Sequence, residues 1–399
     1  MGADACLNMV FYRYGSICEP DMIDAFKSAG LKVFEIDEEI KNKEILPSRQ
    51  VELVDREIRR HGPLFVFSIN FFPALAEICS IHGTFYLCQT VDSPVNQLFS
   101  RSITKKTNRI FLFDKGQYRR FHGYNEGRIF HLPLSANVER YDRVISSIGE
   151  EDRKKYSNDI AFVGSLYSEK NDLNKATDIS PYTKGYIDGL INSQKSVYGA
   201  FFIEDALNDR VIKELKEIFP ELFRFDKAIE ETDSYIAANS LIAPGIAERE
   251  RVETLNMLAK SFKVTLYTRS DRGELSGVDV RGGVSTHLEM PKIFNLSKIN
   301  LNMTVRSIES GLPLRIFDIM ACGGFVITNY QEELSEHFEV GKEVEMYSDP
   351  LELKEKCDYY LRHDEERRKI AQRGYEKVKN EHSCKKRVKD MIERVVSDI

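Results

Sequence analysis

A chain of 399 residues whose 57 Lys and Arg are outnumbered by 63 Asp and Glu, for a net charge of −6, has room for two or three domains and no basic excess to hold a nucleic-acid backbone. With 42% apolar and 30% charged residues it is neither disordered nor collagen-like, and it can build sizeable cores. Its 7 scattered cysteines show no C-x-x-C pair and its 8 histidines no H-x-x-x-H pair, so reduced thiols are expected, with no disulfide frame and no zinc site.

Met1 to Met9 carries Asp4 and no basic stretch, so no secretory leader is read there. Asn8–Arg13 reads as a strand, Pro20–Ala29 as a helix and Leu31–Ile36 as a strand. Gln50–Arg60 is helical, Leu64–Ile69 a strand, Pro73–Ile81 a helix and Thr84–Cys88 a strand. The weakly charged stretch from Pro63 to Ile81 is broken by Asn70, Pro73 and Glu77, which fits a buried strand and helix better than a membrane span. A cytoplasmic protein without a transmembrane segment is therefore expected. Arg109–Phe113, a helix from Asp114 and Arg128–His131 complete this series. Strands separated by helices of this length imply βαβ units in a mostly parallel sheet, with ligands at the carboxyl ends of the strands.

The polar stretch Asn137–Asn158 has no strong apolar period and reads as a linker. A second series follows, with strands at Asp159–Val163, Lys263–Tyr267, Val278–Val280, Lys298–Met303 and Phe325–Thr328. About a hundred residues separate the first two, far more than an ordinary crossover of a dozen or so. Their helical patterns, at Gly185–Tyr198, Ile203–Ile218 and Arg249–Ser261, imply an inserted helical subdomain. Pro350–Leu361, Glu365–Asn380 and Ser383–Val396 close the chain as helices.

Two segments carry the strongest chemical signals. In Ser310-Gly311-Leu312-Pro313-Leu314-Arg315-Ile316-Phe317-Asp318, a Gly-Pro loop enters a helix whose free N–H groups suit a diphosphate. Arg315 lies in the first turn, where a cation opposes the helix dipole, and Asp318 follows at i+3; a plain salt bridge would also explain the pair. In Val163-Gly164-Ser165-Leu166-Tyr167-Ser168-Glu169-Lys170, a strand ends in a glycine and a lysine follows. That lysine could hold phosphate as a point charge or simply be solvated.

These segments resemble the carboxy-terminal half of GT-B glycosyltransferases, in which a V-G-R-L-x-x-x-K-like loop precedes E-G-x-G-L-P-x-x-E-A-M-A-C-G. The tail, with Pro350–Leu361, Asp364 to Arg368 and Glu381-His382-Ser383, is similar to that group's closing helices. Closer still is the spore-maturation CgeB-like family, a bacterial group. It is matched by Phe11-Tyr12-Arg13-Tyr14-Gly15, Ser68-Ile69-Asn70-Phe71-Phe72-Pro73, Thr90-Val91-Asp92-Ser93-Pro94, Arg109 to Asp114 and Phe162 to Tyr167.

The resemblance implies an α/β protein of GT-B fold, two Rossmann-like domains facing a central cleft that closes to exclude water. The domains would span residues 1–155, joined by the last helix at about 384–399, and 156–383, with the insertion at about 175–250. The second domain would bind a nucleotide-diphosphate sugar, expected to be a UDP-sugar, through Gly164, Ser165, Lys170, Arg306, Ser310, Gly311, Leu312, Arg315 and Asp318. Asp318 would take the ribose hydroxyls. Ser165 replaces the usual arginine of the loop, so Arg315 or Arg306 would complete the cationic clamp with Lys170. His287 lies beside the expected base-binding loop, 281–286, and is assigned no acid role.

On the first domain, Arg13, Tyr14, Gly15, Asn70 and Asp92 would line the acceptor side. Asp92 could be a general base for an acceptor hydroxyl, a ligand of a sugar hydroxyl, or the cap of a helix from Pro94; Asn70 could line the cleft or be a buried amide. Asp92, Lys170 and Arg315 are the expected catalytic residues. No D-x-D triad occurs, so no metal or other cofactor is expected. The acceptor, a protein or glycan, is not specified. A nucleotide-sugar epimerase and a non-catalytic two-lobed binding protein on the same fold are the rival readings.

Overall fold

A computed structural model describes residues 7–225 and 227–396; Cys6 and most of the Met1–Met9 segment lie outside them. The chain forms two compact units. One comprises residues up to Asn137 with Phe225–Glu230 and the segment from Glu381 onward; the other comprises Val138–Arg224 and Glu231–Asn380.

The first unit holds a six-stranded sheet of β1 (Asn8–Tyr12), β2 (Lys32–Ile36), β3 (Phe65–Ile69), β4 (Phe85–Gln89), β5 (Asn108–Leu112) and β6 (Ile129–His131). The order is β2-β1-β3-β4-β5-β6 and every pairing is parallel. β3 is buried along its whole length, which explains its unbroken run Phe65-Val66-Phe67-Ser68-Ile69. Its core is aromatic: Phe67 packs against Phe11 at 5.0 Å and Phe26 at 4.9 Å between ring centres. The helices Pro47–His61 and Pro73–His82 each begin on proline and stop at a glycine in the left-handed region, Gly62 and Gly83.

Helix Cys384–Val396 belongs to this unit. The chain entering it pairs with Ala136, whose N–H donates to His382 O at 3.0 Å and whose carbonyl accepts Cys384 N–H at 3.1 Å. Phe225–Glu230 also belongs here: Ile229 N–H donates to Phe99 O at 2.8 Å, and Glu230 accepts from Arg120 at 2.9 Å and from Tyr124.

The second unit holds β7 (Asn158–Val163), β8 (Val264–Tyr267), β9 (Asp279–Arg281), β10 (Ser297–Asn302), β11 (Val326–Asn329) and β12 (Glu345–Tyr347). All pair in parallel in the order β12-β11-β10-β7-β8-β9. Renumbered from its own first strand, this is the order of dinucleotide-binding sheets, whereas the first unit begins with the flavodoxin-like order. β12, only three residues long, was not expected from the sequence.

The expected linker is instead two helices, Val138–Ser146 and Glu150–Tyr156. Val138 and Tyr141 are the buried residues of the first, too sparse a pattern to announce a helix. In the second, Glu150, Glu151 and Asp152 lead and Arg153, Lys154 and Lys155 follow, so its charges are sorted along the helix dipole. Asp152 is also held by Lys292 at 2.9 Å.

Between β7 and β8 the described residues contain no strand. Ile187, Ile191, Ile203, Val211, Leu215 and Leu241 form a separate helical core there. The expected helix Ile203–Ile218 is broken because Asn208 accepts Val211 N–H at 3.1 Å and starts a new helix, Asp209–Ile218. Helix Asp233–Ile236 runs through a π-helical stretch, Ala237–Ile242, into Ala243–Ala259. Pro244 supplies no N–H at that junction, which loosens the ladder one turn earlier. No helix among the described residues is long and apolar enough to cross a membrane, and all six described cysteines are buried and outside any disulfide.

Candidate functional site

Strand order reverses between β1 and β3 in the first unit and between β7 and β10 in the second. Loops leaving the carboxyl ends of those strands are where a doubly wound sheet presents its ligand residues.

In the first unit these loops bring Tyr14, Asn70 and Asp92 together. Asn70 follows β3 with φ +57°, an uncommon conformation for a residue with a side chain. Its amide oxygen accepts Val91 N–H at 3.0 Å, and its Nδ2 donates both to Tyr14 Oη at 3.0 Å and to Asp92 Oδ2 at 2.7 Å. Burial first, and then the Asp92 charge, push the Tyr14 phenol well up, so it is a neutral donor at ordinary pH. Asp92 is exposed and caps no helix: a short 3₁₀ turn, Asn96–Phe99, follows in place of a helix from Pro94. Its backbone is fixed by Gln117 Nε2, which donates to Asp92 O at 3.2 Å.

Arg13 and Gly15 serve the loop itself. The N–H groups of Tyr14, Gly15 and Ser16 converge on one oxygen of Glu19 at 2.8, 2.9 and 3.0 Å. Arg13 donates to the other Glu19 oxygen at 3.2 Å and to Glu35 at 2.7 Å. Gly15 has φ +93°, the bend that turns its N–H inward. Glu19 is fully buried, so this amide nest is filled from within.

In the second unit, Gly164 N–H donates to Tyr267 O at 3.0 Å, carrying the β7 loop alongside the end of β8. Ser165 Oγ donates to Glu169 at 2.6 Å and accepts Tyr167 N–H at 2.7 Å; Ser270 Oγ donates to the other Glu169 oxygen at 2.8 Å and accepts Leu166 N–H at 2.8 Å. Burial alone would raise the Glu169 carboxyl, but bonds from Ser165, its own N–H and Ser270, with the Lys170 charge, bring it below its ordinary value. Tyr167 sits at φ +73°, and its ring carries the Lys170 ammonium at 4.7 Å and the Arg251 guanidinium at 4.6 Å. Lys170 itself is exposed.

Arg251, on helix Ala243–Ala259, was not singled out by the sequence. It donates to Ser165 O and Met303 O, both at 2.6 Å, and so ties the β7 loop to the end of β10 at the point of strand reversal. Burial lowers its basicity, against the opposing influence of Tyr167, Glu250 and Tyr347.

Arg306 has a different role from the one expected. It is buried, paired through Nη2 with Glu250 at 2.5 Å, and stacked over Tyr198 at 3.9 Å. Burial raises the Glu250 carboxyl despite that pairing. Ser310 Oγ donates to Glu333 at 2.8 Å, Gly311 O accepts Gln331 Nε2 at 2.8 Å, and Leu312 is buried, so this segment is held firmly ahead of helix Leu314–Ala321. Arg315 lies over Phe294 at 5.3 Å, beside the Met290 sulfur and 3.5 Å from Asp318. Asp318 is buried and accepts Tyr141 Oη at 2.5 Å, an internal partner supplied by the supposed linker. Burial first, then the Asp318 charge, hold the Tyr141 phenol far above its ordinary value. In the expected base-binding loop, Arg281 donates to Lys155 O at 2.7 Å and Tyr267 Oη at 2.9 Å, and His287 O accepts from Arg140 at 3.4 Å.

A cavity of about 880 Å³ opens at the opposite edge of this sheet, beside Asn158, Val264, Asp279 and Ser297, the first residues of β7 to β10. Of the residues expected to bind the donor it shares Arg281, the start of the expected base-binding loop. Of its cations, Arg153, Lys263 and Lys298 lie where helices Glu150–Tyr156, Ala243–Ala259 and Met290–Leu296 end, at the negative ends of those dipoles; Arg281, Arg367 and Arg368 line it as well. Among the described residues no cluster of three or more His, Cys, Asp or Glu could hold a metal ion.

Residues 249–393 match a family model described as Glycosyl transferase-like, so the carboxy-terminal half carries a glycosyl transferase-like domain. No curated protein matches the chain. Solved structures similar to it include a glycosyltransferase from Rickettsia africae, at 11% identity, covering 98% of each chain with a TM-score of 0.53. Anabaena Alr3699/HepE in complex with UDP and glucose is similar at 10% identity over 98% of this chain and 100% of the other, with a TM-score of 0.54. Sucrose-phosphate synthase from Thermosynechococcus elongatus is similar at 10% identity, with the same coverages and a TM-score of 0.55. The chain has the GT-B fold.

Proposed function

We propose that this protein is a glycosyltransferase that moves a sugar from a nucleoside-diphosphate donor to a hydroxyl of an acceptor. The observation that carries the reading is that Lys170 and Arg251 share the Tyr167 ring at the strand reversal of the unit that matches the glycosyl transferase-like model, a unit that also carries Arg315 in the first turn of helix Leu314–Ala321. Cations presented by the β7 loop and by helices of the same unit suit a diphosphate, whose negative charge grows as the sugar departs. A UDP-sugar is the donor of choice, since the similar Anabaena protein holds UDP and glucose. Order of motifs along the chain supports a place near the CgeB-like enzymes.

Tyr14, Asn70 and Asp92 offer the complementary chemistry in the first unit. Asn70 donates to both neighbours, which leaves the Tyr14 proton and the second Asp92 oxygen for one ligand hydroxyl. In the step proposed, Asp92 takes the proton of that hydroxyl and its oxygen attacks the sugar's anomeric carbon. The bond from that carbon to the phosphate oxygen breaks, and the electron pair leaves with the diphosphate, met by Lys170 and Arg315. These cations replace a metal ion, so chelator should leave the rate unchanged. The described cysteines, buried and outside any disulfide, suit a reducing cytoplasm.

A thermal-shift panel of uridine, UDP and UDP-sugars tests the reading. UDP and at least one UDP-sugar should raise the melting temperature well beyond uridine. Equal response to uridine and UDP would remove the diphosphate from the argument. Binding without release of UDP in the presence of any acceptor would point to a non-catalytic protein, and release of an altered free sugar to an epimerase.

A further inference from the structure

Each sheet ends in two edge strands, and three of the four are blunted by their length. β6, β9 and β12 have three residues each, whereas β2 has five, in unbroken parallel register with β1. Lys32 N–H donates to Leu7 O and Ile36 O accepts Arg13 N–H, so residues 32, 34 and 36 turn their main-chain groups toward β1. Val33 and Glu35 therefore turn theirs outward, where nothing among the described residues pairs with them. The chain after β2 leaves this edge open. It folds back over β1, where Glu39 accepts from Tyr12 Oη and Lys43 donates to Tyr14 O.

A groove of about 490 Å³ runs along the open edge from Val33 to Glu38, with helix Pro47–His61 as its far wall. Phe34, stacked on His61 at 3.5 Å, and the buried Leu53 give it an apolar floor. Each of its carboxylates has a cation: Glu35 has Arg13 at 2.7 Å, Asp37 has Lys41 at 3.5 Å, Glu38 has Arg49 at 2.9 Å and Glu57 has Arg56 at 2.8 Å. Arg60, on the helix wall, has no ionic partner among the described residues.

An edge of alternating N–H and C=O groups is matched by one kind of ligand, another main chain. A second copy of this chain matches it poorly. Antiparallel pairing that used all four outward groups would set Val33 against Glu35 and Lys32 against Ile36, twice over; only Phe34 would meet its like. We propose that the β2 edge docks an extended segment of a partner polypeptide. The segment adds to the sheet as one more strand, with an apolar residue over Phe34 and a carboxylate toward Arg60. This goes beyond the glycosyltransferase reading and does not depend on it.

The test selects binders to the full-length protein from a displayed library of random peptides of about eight residues, enough to span β2. Amide hydrogen exchange is then followed with the selected peptides bound. At least one acidic peptide with alternating apolar residues should bind saturably and slow exchange at Val33 and Glu35 about tenfold or more. Methylating its alternate amide nitrogens, so that they cannot donate, should weaken it about tenfold, the loss of one or two main-chain bonds. Val33→Pro should weaken it as much with the melting temperature unchanged, because proline suits an edge whose N–H bonds to nothing. If that variant melts lower, the methylated peptide decides. Arg60→Glu should turn the selection from acidic to basic peptides, and an unchanged selection removes the carboxylate from the proposal. Failure to select any peptide, free exchange at Val33 and Glu35 in every complex, or equal binding of the methylated peptide overturns the docking edge. Slow exchange at both amides that grows with protein concentration, without peptide, overturns it in favour of a second copy.

Discussion

The two sheets share an architecture and differ at their switch points. In the first unit the loop after β1 turns three N–H groups onto Glu19, a carboxylate from its own following helix. In the second, the loop after β7 satisfies its N–H groups with the hydroxyls of Ser165 and Ser270, and side-chain cations gather around Tyr167. An amide nest already holding a carboxylate has no place for a phosphate. The difference is that a buried glutamate fills the amide nest of the first loop directly, whereas serine hydroxyls stand between the second loop's N–H groups and the Glu169 carboxylate.

The comparison is sharpest where chemistry should fail without loss of donor binding. Asp92→Asn, nearly isosteric, should reduce transfer by about 10²–10⁴-fold, with UDP affinity unchanged by calorimetry. A loss below about tenfold would remove Asp92 as the base. The second unit should behave oppositely. Lys170→Ala and Arg315→Ala should each weaken UDP by about 1.5–3 kcal/mol and leave uridine nearly unchanged, as charge-assisted contacts do. In a double-mutant cycle the two should couple by about 0.5–3 kcal/mol if they share one ligand group. Equal weakening of uridine would place both cations away from the diphosphate.

Glu19→Ala would test the plug. Unfolding by denaturant should show a less stable protein, because three buried donors lose their partner. Added sulfate should recover part of that loss in the variant and do less for the parent. If sulfate acts equally on both, the nest is not an anion site in waiting.

The smallest effect concerns pH. Glu169 ionises below its ordinary value of 4.5, so its clasp on Ser165 and Ser270 stabilises the β7 loop fully above that value. That contribution is lost as pH falls through the lowered folded value. Glu169→Gln should therefore flatten the acid limb of stability between about pH 5 and 3, read as melting temperature against pH. An unchanged acid limb would show that the clasp adds nothing.

Much of this was legible in the sequence because it is local. Period and punctuation mark the strands, and Tyr14, Asn70 and Asp92 stand out singly as residues just past strand ends. Their union through the Asn70 amide could not be read, since it depends on which strands are neighbours. Arg251 was invisible for the same reason: it serves carbonyls far away in the chain, from a helix whose pattern says only that one face is buried. Arg306 looked like a spare cation because its partner Glu250 lies 56 residues away. The stretch Asn137–Asn158 misled because a helix with few apolar residues resembles a solvated link, although its sorted charges were a usable sign. Glu19 looked like any acidic residue in a first helical turn.

The division of the chain also has a consequence for synthesis. The first unit takes in Phe225–Glu230 and everything from Glu381 onward, so its last piece leaves the ribosome on the order of 240 residues after Asn137. At about 5–20 residues per second, its β1-to-β6 sheet must wait about 10–50 seconds for the helix that finishes it. During that interval the carbonyls of Leu134 and Ala136 lack the donors that Arg387 and Cys384 later supply. The half of the protein that is made first is therefore the half that is completed last.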